Sequence, residues 1–354
     1  MWRDRRILDL FHIEVPVLLA PMAGSGGSEL AIAVAEAGGL GSLPCAMLSP
    51  EQIRTELGII RQRVSKPINL NFFCHRPPLH DPTREAGWRK RLEPYYAEFK
   101  LDPAAAPANA GRNPFDEESC KIVEEFRPEI VSFHFGLPQE PLLERVRNTG
   151  AKIIASATTV AEARWLEERG CHAIIAQGAE AGGHRGMFLE DDINTQPGTM
   201  ALVPQVVDAV SVPVIAAGGI ADGRGIAAAF MLGASAVQIG TAYLQTPEAL
   251  SGPLHRQALA EAREDRTLLT NVFTGRPARG LINRIVREVG PISAEAPAFP
   301  LALAAVGPLR KAAEEAGTGD FSPLWAGQAA PLARAMPAGE LTLKLAKDAA
   351  ALLG

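Results

Sequence analysis

The chain of 354 residues has no paired-cysteine pattern. Its four cysteines, Cys45, Cys74, Cys120 and Cys171, stand far apart with no C-x-x-C spacing. That argues against a zinc knuckle and a disulfide framework. It fits a reducing cytoplasm in which the thiols act as small buried hydrophobes. Positive charge is not in excess: 35 Lys and Arg against 40 Asp and Glu leave a net charge of −5. Neither a nucleic-acid surface nor a polybasic membrane patch is indicated. Apolar runs such as Ala201-Leu202-Val203 break far short of a bilayer span. The opening Met1-Trp2-Arg3-Asp4-Arg5-Arg6 leads into a mixed segment without a long apolar core, so a signal peptide is not expected. No internal repeat of fixed period shows. The loop Gly24-Ser25-Gly26-Gly27 lacks the spacing of a dinucleotide fingerprint. What is present is an ordinary globular balance, 47% hydrophobic and 21% charged, in a length that suits one large domain with an appendage or two domains.

Short apolar runs alternate with helical patterns from the start. Strands are expected at 16–20, 39–43, 67–72, 130–133, 152–156, 173–176, 212–216 and 236–239. Helices are expected between them, among them Ser28 to Ala37 with Ser28 as N-cap. Another runs from Ser49 to Val64, opened by Ser49, Pro50 and Gln52. Residues 73 to 114 interrupt the rhythm with a helix from about Pro82 to Phe99 and a Pro/Ala/Asn-rich connection, an insertion of the size of a lid or binding loop. Eight strand–helix units with buried Val/Ile-rich strands predict a (β/α)8 TIM barrel over 1–245, completed by 325–354. An additional, mainly helical substrate-side subdomain is expected over 246–324. A doubly wound open sheet is the competing arrangement, because periodicity does not show closure. Within 246–324, Thr274-Gly275-Arg276-Pro277 reads as a turn and Pro291 to Pro308 as a Pro/Ala-rich piece.

In a barrel the reacting loops follow the C-terminal ends of the strands, and the unusual residues fall there. Ala20-Pro21-Met22 follows the first strand, and Asn69-Leu70-Asn71 and Cys74-His75-Arg76-Pro77 accompany the third. His134-Phe135-Gly136 follows the fourth. After the sixth comes Gln177-Gly178-Ala179-Glu180-Ala181-Gly182-Gly183-His184-Arg185-Gly186, where glycines allow close backbone approach beside one titratable imidazole. Gly218-Gly219 and Gly240-Thr241 follow the seventh and eighth strands, the positions at which barrels hold phosphate on backbone N–H groups. Arg185 reads as a solvated charge. His134 either holds a loop or borders a cofactor, and His75 reads first as a loop anchor. His12, His80, His172 and His255 have no supporting context.

The motifs Ala20-Pro21-Met22-Ala23-Gly24, Val131 to Gly136, Gln177 to Gly186 and Ala216-Ala217-Gly218-Gly219-Ile220 resemble those of the nitronate monooxygenases. Asn69 to Pro77, Gly233 to Thr241 and Trp325-Ala326-Gly327-Gln328 extend the match over nearly the whole chain, in order. The resemblance implies non-covalent FMN, with its phosphate on Gly218, Gly219, Gly240 and Thr241. It places the flavin ring near Ala20, Pro21 and Met22, contacted by Asn69, Gln177, Gly182, Gly183 and Gln238. It makes His184 the active-site histidine and implies oxidation of a nitronate by O2 to a carbonyl compound and nitrite, without a metal. An imidazole there can accept the α-proton of a nitroalkane or steady an anionic nitro group.

The resemblance weakens toward the C-terminus. Two tyrosines and a lysine of close relatives fall on Phe299, Leu303 and Gly307, and a further tyrosine falls on His255. This predicts a substrate pocket lined by His134, His75, Phe299 and Leu303, and a substrate larger or less polar than a small alkyl nitronate. The expected partners are a small-molecule substrate and O2, with the protein a monomer or homodimer. An FMN-dependent NAD(P)H reductase of a quinone or enoyl thioester shares the glycine loops and is the alternative. A flavin-binding protein without catalysis is a third reading, against which the intact His184 argues.

Overall fold

A computed structural model of the chain describes residues 2, 4–103 and 112–354. Most of the Pro/Ala/Asn-rich connection after the inserted helix lies outside the described residues. Strands β1 (Val17–Leu19), β2 (Gly41–Pro44), β3 (Ile68–Phe73), β4 (Ile130–His134), β5 (Lys152–Ala157) and β6 (Ala173–Gln177) come first. They are followed by the two-residue β7 (Gly183–His184), then β8 (Val214–Ala217) and β9 (Ala236–Ile239). All but β7 form one parallel sheet in the order β1-β9-β8-β6-β5-β4-β3-β2. The sheet closes where Leu18 bridges Leu40, with Leu19 N–H donating to the Leu40 carbonyl at 2.9 Å and Leu40 N–H to that of Val17 at 3.0 Å. The doubly wound alternative is therefore excluded, and the fold is a TIM barrel.

Parallel strands covered on both sides must be apolar throughout, and burial follows that rule. β3 and β6 are buried at every position, with Leu70, Phe72, Ile174 and Ala176 packed under the surrounding helices. The polar exceptions, Ser42, Asn69, Asn71, Ser132, Ser156 and Gln177, are buried and lie on strands. Asn69 donates to Ser42 Oγ at 3.0 Å and Asn71 to Ser132 Oγ at 3.0 Å, each across a register pair.

The helix Pro50–Arg63 starts as expected: Ser49 Oγ accepts from Gln52 N–H, and the Gln52 side chain accepts from Ser49 N–H. The helix Ser28–Glu36 does not start with a Ser28 cap. Its N-cap is Gly27, and Glu56 Oε2 accepts from Ser28 N–H at 2.8 Å, so a neighbouring helix satisfies the first turn. The last helix, Ala338–Leu353, packs against Gly223–Met231 and Ser28–Glu36. Among the described residues no helix is long and apolar enough to cross a membrane.

Beyond the barrel the chain adds a strand pair that the sequence did not suggest. β10 (Thr267–Thr270) and β11 (Ala278–Leu281) form an antiparallel hairpin whose turn is the expected Thr274 to Pro277 segment. β11 also pairs with β7, joining Ala278 to His184 and Arg279 to Gly183. The hairpin thus seizes the histidine loop.

The inserted helix Pro82–Glu98 is docked firmly. Trp88, Leu92, Tyr95 and Tyr96 form a second core with the helix Ala302–Glu315 and Phe321. Trp88 Nε1 donates to the Ala302 carbonyl at 3.3 Å, and the Tyr96 hydroxyl donates to that of Ala305 at 2.7 Å. Trp88→Ala is expected to cost about 3–5 kcal/mol, because it opens a cavity in this second core and removes the hydrogen bond to Ala302. A thermal melt that matches wild type would contradict this account of the docked helix.

Candidate active site

The C-terminal ends of the barrel strands converge on one cleft. Ala20, Pro21 and Met22 line it after β1, Asn71 and Phe73 on β3, Ser132 and His134 on β4, and Ser156 on β5. Gln177, Gly182, Gly183 and His184 line it after β6, Gly218 and Gly219 after β8, and Gln238, Gly240 and Thr241 along and after β9. Arg112, Leu244, His255, Trp325 and Gly327 complete the wall.

The glycine loops are built for close approach. Gly218 has φ +106°, and a Cβ there would come within 2.9 Å of the Ala181 nitrogen. At Gly182 a Cβ would stand 2.5 Å from the Gly327 nitrogen, so the histidine loop and the loop at 327 run back to back. Thr241 Oγ1 accepts from Gly327 N–H at 2.9 Å and fixes that second loop to the end of β9. Gln238 carries a buried Oε1 with no hydrogen-bond partner. A partnerless buried acceptor costs about 1–3 kcal/mol, and in a cleft wall it is where a ligand N–H would be accommodated.

His184 is 9% exposed. Its ring lies 5.3 Å from Phe299, 5.4 Å from Trp325 and 6.5 Å from Phe73, centroid to centroid. Its Nε2 lies 2.9 Å from Thr274 Oγ1. Its backbone carbonyl accepts from Gln177 Nε2 at 3.1 Å and from His134 Nε2 at 3.2 Å. Burial first, and then the positive Arg112, pushes the His184 pKa well below the ordinary histidine value. The imidazole is therefore neutral at neutral pH.

His134 is a holder of that loop. A carbonyl can only accept, so His134 Nε2 carries the ring proton, and Nδ1 accepts from Ser156 Oγ at 3.1 Å. Burial and the nearby Arg276 push its pKa down to about 3, consistent with a neutral ring. Gln177 also serves the loop. Its Nε2 donates to the His184 carbonyl and its Oε1 accepts from Gly186 N–H at 2.8 Å.

A sequence profile described as Nitronate monooxygenase matches residues 4–348. A nitronate monooxygenase from Pseudomonas aeruginosa is 41% identical over 97% of this chain and 98% of its own. The chain belongs to the nitronate monooxygenase family. The solved structure of nitroalkane oxidase from Streptomyces ansochromogenes matches with a TM-score of 0.89 at 38% identity, covering 98% of each chain. FabK from Thermotoga maritima matches with a TM-score of 0.75 at 30% identity, over 100% of this chain and 98% of that one.

Within this nitronate monooxygenase frame several expectations need correcting. Asn69 does not line the cleft: its amide nitrogen donates to Ser42 and its Oδ1 is buried without a partner, and Asn71, two residues along the strand, lines the cleft instead. His75, Phe299 and Leu303 are also outside the lining. His75 lies beside Phe299, ring centroids 4.8 Å apart, with Nδ1 buried and partnerless and its pKa pushed down to about 4, by burial first. Leu303 is half-buried on the helix Ala302–Glu315. Phe299 does reach His184, as above. Arg185 is not solvated but fully buried, and it donates to the carbonyls of Gln177 and Gly178. His255 lines the cleft, and its Nε2 donates to the Trp325 carbonyl at 3.0 Å.

Sequence reasoning missed Arg112, Ser156 and Thr274 as site residues. Arg112 is the most consequential. Its guanidinium carbon lies 5.7 Å from the Phe299 ring centre, its Nε is buried without a partner, and burial lowers its pKa to about 10. It remains a cation at neutral pH and bears electrostatically on His184. The positive charge lost by alignment at Gly307 thus enters the cleft from another direction.

Proposed function

We propose that the cleft binds FMN without covalent attachment and that the enzyme oxidises a nitroalkane or its nitronate with O2 to a carbonyl compound and nitrite. The observation that carries this reading is the shared wall: neutral His184 lines the same cleft as the glycine loops Gly218-Gly219 and Gly240-Thr241. Gly218, Gly219, Gly240 and Thr241 would hold the phosphate on backbone and hydroxyl donors. Ala20, Pro21, Met22, Gly182, Gly183 and Gln238 would border the ring, with the orphaned Gln238 Oε1 taking a ring N–H. Gln177 contributes by fixing the loop. When bound, the flavin accepts electrons from the substrate and passes them to O2. The protein's own part is to position the substrate, to take the α-proton on His184 and to offset negative charge on the nitro oxygens with Arg112. In this reading the barrel, 1–245 with 325–354, carries the flavin and 246–324 the substrate side. The apolar wall residues Phe73, Trp325 and Leu244 support a substrate larger or less polar than a small alkyl nitronate.

The glycine loops Gly218-Gly219 and Gly240-Thr241 on the cleft wall also suit a second reading, an FMN-dependent NAD(P)H reductase of a quinone or enoyl thioester. One experiment separates them. The purified protein is expected to show the visible bands of a flavin, to bleach anaerobically with a nitronate, faster per site occupied with a long-chain nitronate than with propyl nitronate, and to stay oxidised with NADH. Rapid bleaching by NADH alone would favour the reductase. Equal or better use of propyl nitronate would remove the substrate-size proposal.

A further inference from the structure

The hydrogen bond between His184 and Thr274 determines more than the place of the ring. Thr274 belongs to the turn of the β10–β11 hairpin, and β11 pairs directly with β7, on which His184 lies. A threonine hydroxyl has one proton to give and lone pairs to accept with. The Thr274 hydroxyl lies 3.5 Å from the Arg276 carbonyl, a group that can only accept. With its proton directed there, Oγ1 offers His184 a lone pair, and Nε2, 2.9 Å away, is the donor. A neutral imidazole has one N–H and one lone pair. With the proton on Nε2, the lone pair falls on Nδ1. Among the described residues nothing bonds to Nδ1, nor is it one of the buried partnerless atoms. It is the nitrogen left to the cleft that His184 lines.

We propose that Thr274 is a positioning residue that fixes the His184 tautomer and leaves Nδ1 as the base for the α-proton of a neutral nitroalkane. The inference rests on the reading under Proposed function and deepens it. In the step assigned to Nδ1, the Cα–H bond of the nitroalkane breaks and an Nδ1–H bond forms. The electron pair stays on the substrate as the nitronate, its charge spread over carbon and the two nitro oxygens. No electron leaves the substrate in this step, so no oxidant is consumed. The imidazolium formed then returns its proton to water at the cleft mouth.

The groups facing His184 fit that use. Arg112, His134, Arg276 and His75 all disfavour a proton on it. Burial and Arg276 keep His134 neutral, and Ser156 and the His184 carbonyl fix its ring. Arg276 lies with its guanidinium carbon 4.1 Å from the centre of the Phe135 ring. The ring of His184 therefore rests in its base form, and the negative charge that develops on the substrate as its proton leaves is offset by the two cations of this group, Arg112 and Arg276. A nitronate supplied from solution has already lost its α-proton. It needs none of this arrangement.

That difference supplies the test. Wild type, Thr274→Val and Thr274→Ser are loaded with flavin and mixed anaerobically with nitroethane or with ethyl nitronate, across pH. Thr274→Val is expected to slow flavin reduction by nitroethane at least about tenfold, a part of the ~10²–10⁴ that a positioned general base contributes. Reduction by ethyl nitronate is expected to be unchanged, and Thr274→Ser to restore the nitroethane rate. An equal loss on both substrates would show a merely structural role, and no loss on nitroethane would show no role; either overturns the proposal. The tautomer itself is read independently of activity from the ¹⁵N shifts of labelled histidine in wild type, with His184→Asn assigning the signal. A protonated Nε2 with a bare Nδ1 supports the proposal, and a protonated Nδ1 overturns it. This measurement also decides the matter if Thr274→Val does not fold. Should neither substrate reduce wild-type flavin, the proposed function fails, while the ¹⁵N result still stands or falls alone.

Discussion

His184→Asn is expected to lower flavin reduction by a neutral nitroalkane by about 10²–10⁴-fold, the range of a lost general base. The flavin spectrum is expected to stay intact. Asparagine is close in size, and its amide can still donate to Thr274 Oγ1, which His184 Nε2 approaches at 2.9 Å. The two donors to the backbone carbonyl of residue 184, from Gln177 and His134, do not depend on the side chain. What is lost is the lone pair able to take a proton. Rates with a preformed nitronate are expected to fall much less. The sign of the pH dependence follows from the lowered pKa of His184, caused by burial and then by Arg112. A base with a lowered pKa keeps its lone pair as pH falls through the ordinary histidine range near 6.5. Wild-type reduction by a nitroalkane should therefore show no loss near that pH. Full turnover of a nitroalkane by the variant would remove His184 from the mechanism.

The barrel was legible because its strands are buried on both faces, so each reads as a short apolar run such as Ala173-Ile174-Ile175 between helical patterns. Closure was not legible, since it depends on the contact between Leu18 and Leu40, which no periodicity reports. The hairpin was missed for a local reason. β11 is Ala278-Arg279-Gly280-Leu281, with a charge and a glycine inside four residues, a composition that argues against a strand. Tertiary context reverses the argument. Arg279 is buried and donates to the Ala179 carbonyl at 2.9 Å and to Thr267. At Gly280 a Cβ would press on the Leu324 carbonyl at 2.9 Å.

The flavin side of the site was more legible than the substrate side. Gly218, Gly219, Gly240 and Thr241 follow consecutive barrel strands, so strand order alone puts them on one rim. Thr274 stands 90 residues from His184 in the chain and meets it only through the pairing of β11 with β7. Arg112 follows a low-complexity stretch in which no period marks a functional position. Asn69 and Asn71 share one strand face, because side chains alternate. The sequence therefore could not say which of the two stands nearer the cleft.

Arg185→Met is expected to be among the most destabilising single changes in the molecule, although the residue touches neither cleft nor solvent. Its guanidinium is fully buried. Nη1 donates to the Gly178 carbonyl at 2.6 Å and Nη2 to that of Gln177 at 2.7 Å, so it holds the chain where β6 ends and the histidine loop begins. Nε and Nη2 also donate to Gln196 Oε1 at 3.1 and 3.0 Å. The network continues inward. Gln196 Nε2 donates to Thr158 Oγ1 at 3.0 Å, and the Thr158 hydroxyl donates to the buried Glu162 at 2.7 Å. Burial lowers the Arg185 pKa to about 10, yet the group stays charged at neutral pH, with Glu180 and Glu162 as nearby negative charges. Methionine would fill much of the volume and supply none of the donors. Two carbonyls and one side-chain oxygen would be left short of partners, at about 1–3 kcal/mol each when buried. A total loss of about 3–5 kcal/mol is expected, seen as a lower thermal midpoint. Lysine would keep the charge but cannot reach two carbonyls and Gln196 with one ammonium, so Arg185→Lys should recover only part of the loss. Because the same carbonyls carry the approach to His184, both variants should also slow turnover of a nitroalkane at temperatures where they remain folded. A melting temperature for Arg185→Met equal to that of wild type would show that the clamp contributes nothing to the stability of the loop.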